Sequence, residues 1–138
     1  MNRKFIYVVL FLIISCTVRE EKIEYLDVLF IEEGLTSQIP FNCDRLSHKW
    51  NSPVFNNMKI KDESFNSKFY SYMKRYKPDN NDSTYDIRIK VLIHYSNNKI
   101  DTLCLGENFN TFLNGKRVFD SPEHLKLIKG YIYKKNDF

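Results

Sequence analysis

The stretch YDIRIKVLIHY, Tyr85 to Tyr95, alternates so regularly that few architectures can hold it. Tyr85, Ile87, Ile89, Val91, Ile93 and Tyr95 share one side, and Asp86, Arg88, Lys90, Leu92 and His94 share the other. A period of two predicts a long strand with one buried face. Asn97-Asn98 then offers a two-residue hairpin turn, because asparagine tolerates positive φ. That register sets Tyr95 opposite Ile100, His94 opposite Asp101, Ile93 opposite Thr102 and Val91 opposite Cys104. Cys104 is then expected in the core, with Leu92, Leu103 and Leu105 on the outward face.

The remaining segments fill in an α+β domain. Ile23 to Ile31 is apolar on both sides apart from Glu24 and Asp27, which predicts a buried central strand. Glu32-Glu33-Gly34 reads as a turn, and Gln38 to Asp44 as a second strand that Pro40 pushes toward an edge. Residues 45–61, with Trp50 and Ser52-Pro53, read as irregular. Asp62 to Lys77 carries Phe65, Phe69, Tyr72, Met73 and Tyr76 on one helical stripe, with Asp62 as cap and Pro78 as stop. Phe109 to Leu113, Asn114-Gly115 and Lys116 to Phe119 form a second hairpin; Asn-Gly is the strongest short hairpin signal. Ser121-Pro122-Glu123 starts the last helix, which Gly130 is expected to end after Lys129, with Tyr131 to Tyr133 a short strand or tail. The order β-β-α-β-β-β-β-α predicts an antiparallel sheet of about five to six strands with two helices on one face.

The N-terminus has a different character. Arg3 and Lys4 precede an unbroken apolar run, Phe5 to Ile14. A basic segment followed by about 7–15 apolar residues has the layout of a signal peptide. The run is too short for a bilayer-spanning helix, which needs about 20. It ends Ile13-Ile14-Ser15-Cys16. This resembles the lipobox of bacterial lipoproteins: an aliphatic residue, a tolerant position, a small residue, then cysteine. The resemblance implies cleavage between Ser15 and Cys16 and acylation of the Cys16 thiol, with fatty chains such as palmitate holding the protein to membrane lipid. Each buried CH₂ contributes ~0.8 kcal/mol, and two chains suffice for stable anchoring. Residues 1–15 are then the signal, 16–22 a tether and 23–138 one domain. Asp at position 17 would favour inner-membrane retention in some bacteria; Thr17 stands there, so the outer membrane is favoured. The stretches YDIRIKVLIHYSNNKIDTLCLG, LNGK and PEHLKLIK also resemble small, uncharacterised envelope lipoproteins, a likeness that brings no activity with it.

Composition narrows the chemistry. Loss of Arg3 and Lys4 takes the formal charge from +4 to +2, too little for a nucleic-acid surface. With 11 Phe and 9 Tyr, the chain is suited to a β-containing core and not to disorder. With Cys16 acylated, Cys43 and Cys104 remain as a pair that an oxidising compartment allows to bond. The alternative is two separate buried thiols. Cys43, Asp44 and His48 lie close together in CDRLSH, but a structural zinc site wants four ligands and no second cluster completes it. No metal and no cofactor are expected. His124, in a first helical turn, is expected to be solvated. Leu92, Leu103 and Leu105 are candidate contacts for a protein partner if no helix covers their face and core residues if one does, which is the favoured reading; Trp50 is a further candidate contact, with packing over the sheet edge as its favoured reading. Glycine-rich phosphate loops, G-x-S-x-G and H-E-x-x-H do not occur.

The expected function is therefore a membrane-anchored envelope lipoprotein with a non-catalytic binding domain, such as an immunity-type or assembly-type factor. The alternative is a small envelope hydrolase using His94 and Asp101, with Asp101 orienting the imidazole and a nucleophile that the pattern does not place; without such activity the two residues read as a surface ion pair.

Overall fold

The alternating segment forms a strand near the middle of the sheet, spanning Ile87–Tyr95. In the computed structural model, which describes residues 21–47, 54–81 and 86–133, six strands and two helices are ordered along the chain. The strands are β1 Ile23–Ile31, β2 Phe55–Ile60, β3 Ile87–Tyr95, β4 Ile100–Gly106, β5 Thr111–Leu113 and β6 Lys116–Val118. The helices are α1 Glu63–Met73 and α2 Pro122–Ile132. The sheet order is β2-β1-β3-β4-β5-β6, with every neighbouring pair antiparallel. The fold is α+β.

Both helices cover one face. Leu26, Val28 and Phe30 of β1, Ile89, Val91 and Ile93 of β3, and Leu103 and Leu105 of β4 meet Phe65, Phe69 and Met73 of α1 and Ile128 and Ile132 of α2. The opposite face holds a smaller core of Leu29, Ile31, Leu46, Ile87 and Cys104, with Phe41, Phe55 and Phe112 packed around it. β1 is thus buried on both sides, as its composition requires. Ile87 departs from the alternation: the β3–β4 register shifts between Ile87 and Ile89, and Ile87 joins the smaller core.

The second strand is not where the sequence pattern puts it. Gln38 to Asp44 forms bends and turns, whereas Phe55–Ile60, within the stretch expected to be irregular, is β2. Isolated contacts take up backbone groups of the 35–46 loop. Phe41 N donates to Asp86 Oδ1 at 2.9 Å, Ile87 N donates to Phe41 O at 2.8 Å, and Arg88 Nη1 donates to Leu35 O at 2.7 Å. Arg88 also pairs with Asp86, so one ion pair pins the segment at Leu35 and at Phe41. As an edge strand, β2 turns only Met58 and Ile60 to the helix-side core, while Phe55 at its start packs on the smaller core of the other face.

The β3–β4 hairpin differs by one residue from its expected register. Tyr95 N donates to Lys99 O, and Asn98 N donates to Tyr95 O, both at 3.0 Å. Asn98 has φ 67°. The loop is therefore three residues, Ser96 to Asn98, closed by a left-handed asparagine. His94 pairs with Ile100, Ile93 with Asp101, Val91 with Leu103 and Lys90 with Cys104. A one-residue slip moves every side chain of β4 to the other face. The second hairpin keeps the two-residue Asn114-Gly115 turn, both residues at positive φ, and Leu113 pairs with Lys116.

The helix ends also shift. α1 is capped by Asp62, whose carboxylate accepts from Phe65 N at 2.9 Å, and it stops at Met73, before Tyr76 and Pro78. α2 is capped by Ser121 but runs through Gly130 to Ile132. A helical glycine costs about 1 kcal/mol relative to alanine. Full burial of Ile132 and the ring contact of Tyr131 with Phe65 (4.4 Å) outweigh that cost.

Candidate interaction surfaces

The corrected register dismantles the proposed leucine patch. Leu103 and Leu105 lie in the helix-covered core, and only Leu92 faces the other side, half-buried. Ser15, Cys16, His48 and Trp50 lie outside the described residues. Among the described residues, no group of three His, Cys, Asp or Glu side chains could hold a metal ion.

His94 and Asp101 are separated by the same shift. His94 lies on the helix-free face and stacks on Tyr25, with ring centroids 4.2 Å apart. Lys59 Nζ sits 4.4 Å from the Tyr25 ring. Asp101 is buried on the helix side, where it accepts from Tyr95 Oη at 2.9 Å and Asn114 Nδ2 at 3.0 Å. Lys99 Nζ stands 3.4 Å away. Burial, and then the hydrogen bond to Asp101, raise the Tyr95 hydroxyl above its usual range. The carboxylate is committed to Tyr95 and to Asn114 of the β5–β6 turn and does not orient His94.

Cys43 and Cys104 are joined by a disulfide, with Cα atoms 5.9 Å apart. Cys104 is fully buried on β4; Cys43 is half-buried on the loop above it. The bond fixes that loop over the smaller core. Beside it, Lys90 Nζ donates to Cys43 O at 3.0 Å and enters a cleft of about 300 Å³ that Asp44, Thr102 and Asn114 also line.

A second pair of clefts, about 380 and 440 Å³, opens where β1 begins. Lys22, Ile23, Glu63 and Asn66 line both. The Lys22–Glu63 ion pair is exposed, and the hydrogen bond from Lys22 holds the Glu63 carboxyl below its usual range.

His124 is buried rather than solvated. Its Nδ1 lies 2.8 Å from Tyr76 Oη, and the Phe69, Tyr72 and Tyr76 rings surround it. Its Nε2 has no hydrogen-bond partner among the described residues. The spacing His124, Ile128, Ile132 is a helical stripe, the signal that could have placed it inside. Burial lowers its pKa from 6.5 to about 4. The unfolded chain therefore binds a proton that the native state refuses. Stability is full above pH 6.5 and falls as pH drops toward 4, with a total loss of roughly 3 kcal/mol. Urea midpoints across that window should decline in wild type and decline less in His124→Phe, which keeps a ring but not the titration.

Comparison with known protein families, with curated proteins and with solved structures gives no match for this chain.

Proposed function

We propose that this chain is a lipid-anchored lipoprotein of a bacterial cell envelope, whose α+β domain binds another protein outside the cytoplasm. The observation that carries this reading is the N-terminal order: Arg3-Lys4, the apolar run Phe5 to Ile14, and Ile13-Ile14-Ser15-Cys16. The start of β1 at Ile23 is in keeping with it. The seven residues 16–22 span at most about 24 Å, so an acylated Cys16 would hold the domain close to the bilayer. Thr17 favours the outer membrane.

The binding role draws support from the asymmetry of the sheet. One face is covered by both helices, whereas Tyr25, Leu92 and His94 on the other are half-buried and Ile100 is exposed. The hydrolase alternative loses its support, because its two named residues lie on opposite faces of the sheet.

Radiolabelled fatty acid tests the anchor. Wild type is expected to incorporate label and fractionate with membranes; Cys16→Ser is expected to incorporate none. Equal labelling of the two proteins would overturn the lipoprotein reading.

A further inference from the structure

The two edges of the sheet are treated differently. The outer edge of β6 is closed by the chain itself: Pro78 bridges Val118, Asp79 N donates to Arg117 O at 3.1 Å, and Phe119 N donates to Lys77 O at 2.9 Å. β2 pairs with β1 alone. From Asn56 to Ile60, no backbone hydrogen bond leaves β2 on its outer side among the described residues. This edge is a regular six-residue strand with no proline and no register shift. Such an edge is a template for another strand unless something guards it, and here Lys59 is the single charge.

We propose that a second copy of this chain pairs antiparallel with β2 across a two-fold axis through Met58, joining two six-stranded sheets into one. Directly opposed residues of an antiparallel pair share a face, so a two-fold axis normal to the sheet must pass through a residue and not between two. Placed at Met58, it sets Met58 against its own copy, Asn57 against Lys59 and Asn56 against Ile60. Met58 and Ile60 are on the helix side, where Met58 is half-buried against the main core. The pairing covers the rest of Met58, whose thioether side chain adapts to its neighbour. Lys59 meets an asparagine and no like charge directly. A two-fold axis at Asn57 would leave Met58 against Asn56, a polar side chain.

The tether geometry lets two copies pair on one membrane, where shared anchoring raises their effective concentration above that of an unanchored strand, a point that rests on the lipoprotein reading; the pairing itself does not. Ile23 is five residues from Val28, the β1 neighbour of Met58, or about 17 Å along the strand. The two Ile23 residues thus come to lie about 35 Å apart on the joined sheet. Each tether can reach about 24 Å, enough to bring both Cys16 residues to one bilayer parallel to the sheet.

Cysteine cross-linking of the mature chain in detergent tests the pairing. Met58→Cys lies on the two-fold axis and is expected to form a covalent dimer on mild oxidation. Two Asn56→Cys residues would lie about 13 Å apart along the strand, too far to bond, so their yield should be roughly tenfold lower. Wild type should sediment as a dimer, and Met58→Lys as a monomer with unchanged far-ultraviolet circular dichroism. Should Met58→Lys fail to fold, the cross-linking pair still decides. Equal yields from the two cysteine variants, a Met58→Cys bond to a different protein, or a monomeric wild type with no cross-link would overturn the proposal. Fatty-acid labelling of Cys16 reads the anchor separately, so failure of one inference does not mimic failure of the other.

Discussion

Replacing Cys43 and Cys104 together by alanine is expected to lower the free energy of unfolding by ~4 kcal/mol. The disulfide joins residues 61 apart in sequence, and closing a loop of that length removes much entropy from the unfolded chain. It also holds the 41–46 loop against Leu29, Ile31, Ile87 and Phe112. Urea unfolding of oxidised wild type against the double variant measures the difference. The helix-side core does not depend on this bond, so the double variant should keep its far-ultraviolet circular dichroism at low denaturant. A loss below about 1 kcal/mol would mean that the Asp86–Arg88 contacts, not the disulfide, hold the loop in place.

Leu103→Ala is expected to cost about 3–5 kcal/mol, against under about 2 kcal/mol for Leu92→Ala. Leu103 has no exposed surface and lies under the helices in the main core. Removing its side chain leaves a cavity that the surrounding sheet and helices cannot fully close. Leu92 is half-buried on the helix-free face, so its truncation mainly loses contact area. The two-residue-turn register places both leucines on the same face and gives them similar effects. Chemical denaturation of the two variants therefore tests the β4 register directly, and equal effects would refute the observed pairing.

The hairpin shows why part of this fold was legible in the sequence and part was not. In β3 the alternation is unambiguous, because one side carries Ile89, Val91 and Ile93 and the other carries Arg88, Lys90 and His94. β4 offers no such contrast. In Ile100–Gly106, Leu103 and Leu105 fall on one side and Ile100, Thr102 and Cys104 on the other, so either side could be buried. The loop length then decides, and Asn97-Asn98 is compatible with two or three residues. Interactions remote in sequence settle the choice. Asp101 meets Asn114 of the next hairpin on the helix side, and Cys104 meets Cys43 on the other. The candidate residues inherited this ambiguity: the leucine patch and the His94–Asp101 pair both depended on one residue of register.

His124 and β2 were missed for related reasons. A histidine in a first helical turn is commonly solvated; only the packing of α1 against α2 encloses it between aromatic rings. β2 is a polar edge strand whose pattern is too weak to separate from a loop, and pairing with β1 is what makes it a strand.

By itself, the amino-acid order determined the elements with strong local periods or caps: the buried β1, the alternating β3, the Asn114-Gly115 turn, and the helix starts at Asp62 and Ser121. It also carries the N-terminal order on which the proposed lipid anchor rests, because such a signal would be read as a linear segment. Tertiary structure alone decided the β4 register, the place of β2, the enclosure of His124 and the extension of α2 through Gly130. Each depends on which distant surfaces meet. The free energy of burying an apolar side chain, about 1.5–3 kcal/mol, exceeds the propensity differences of about 1 kcal/mol that a local pattern can express.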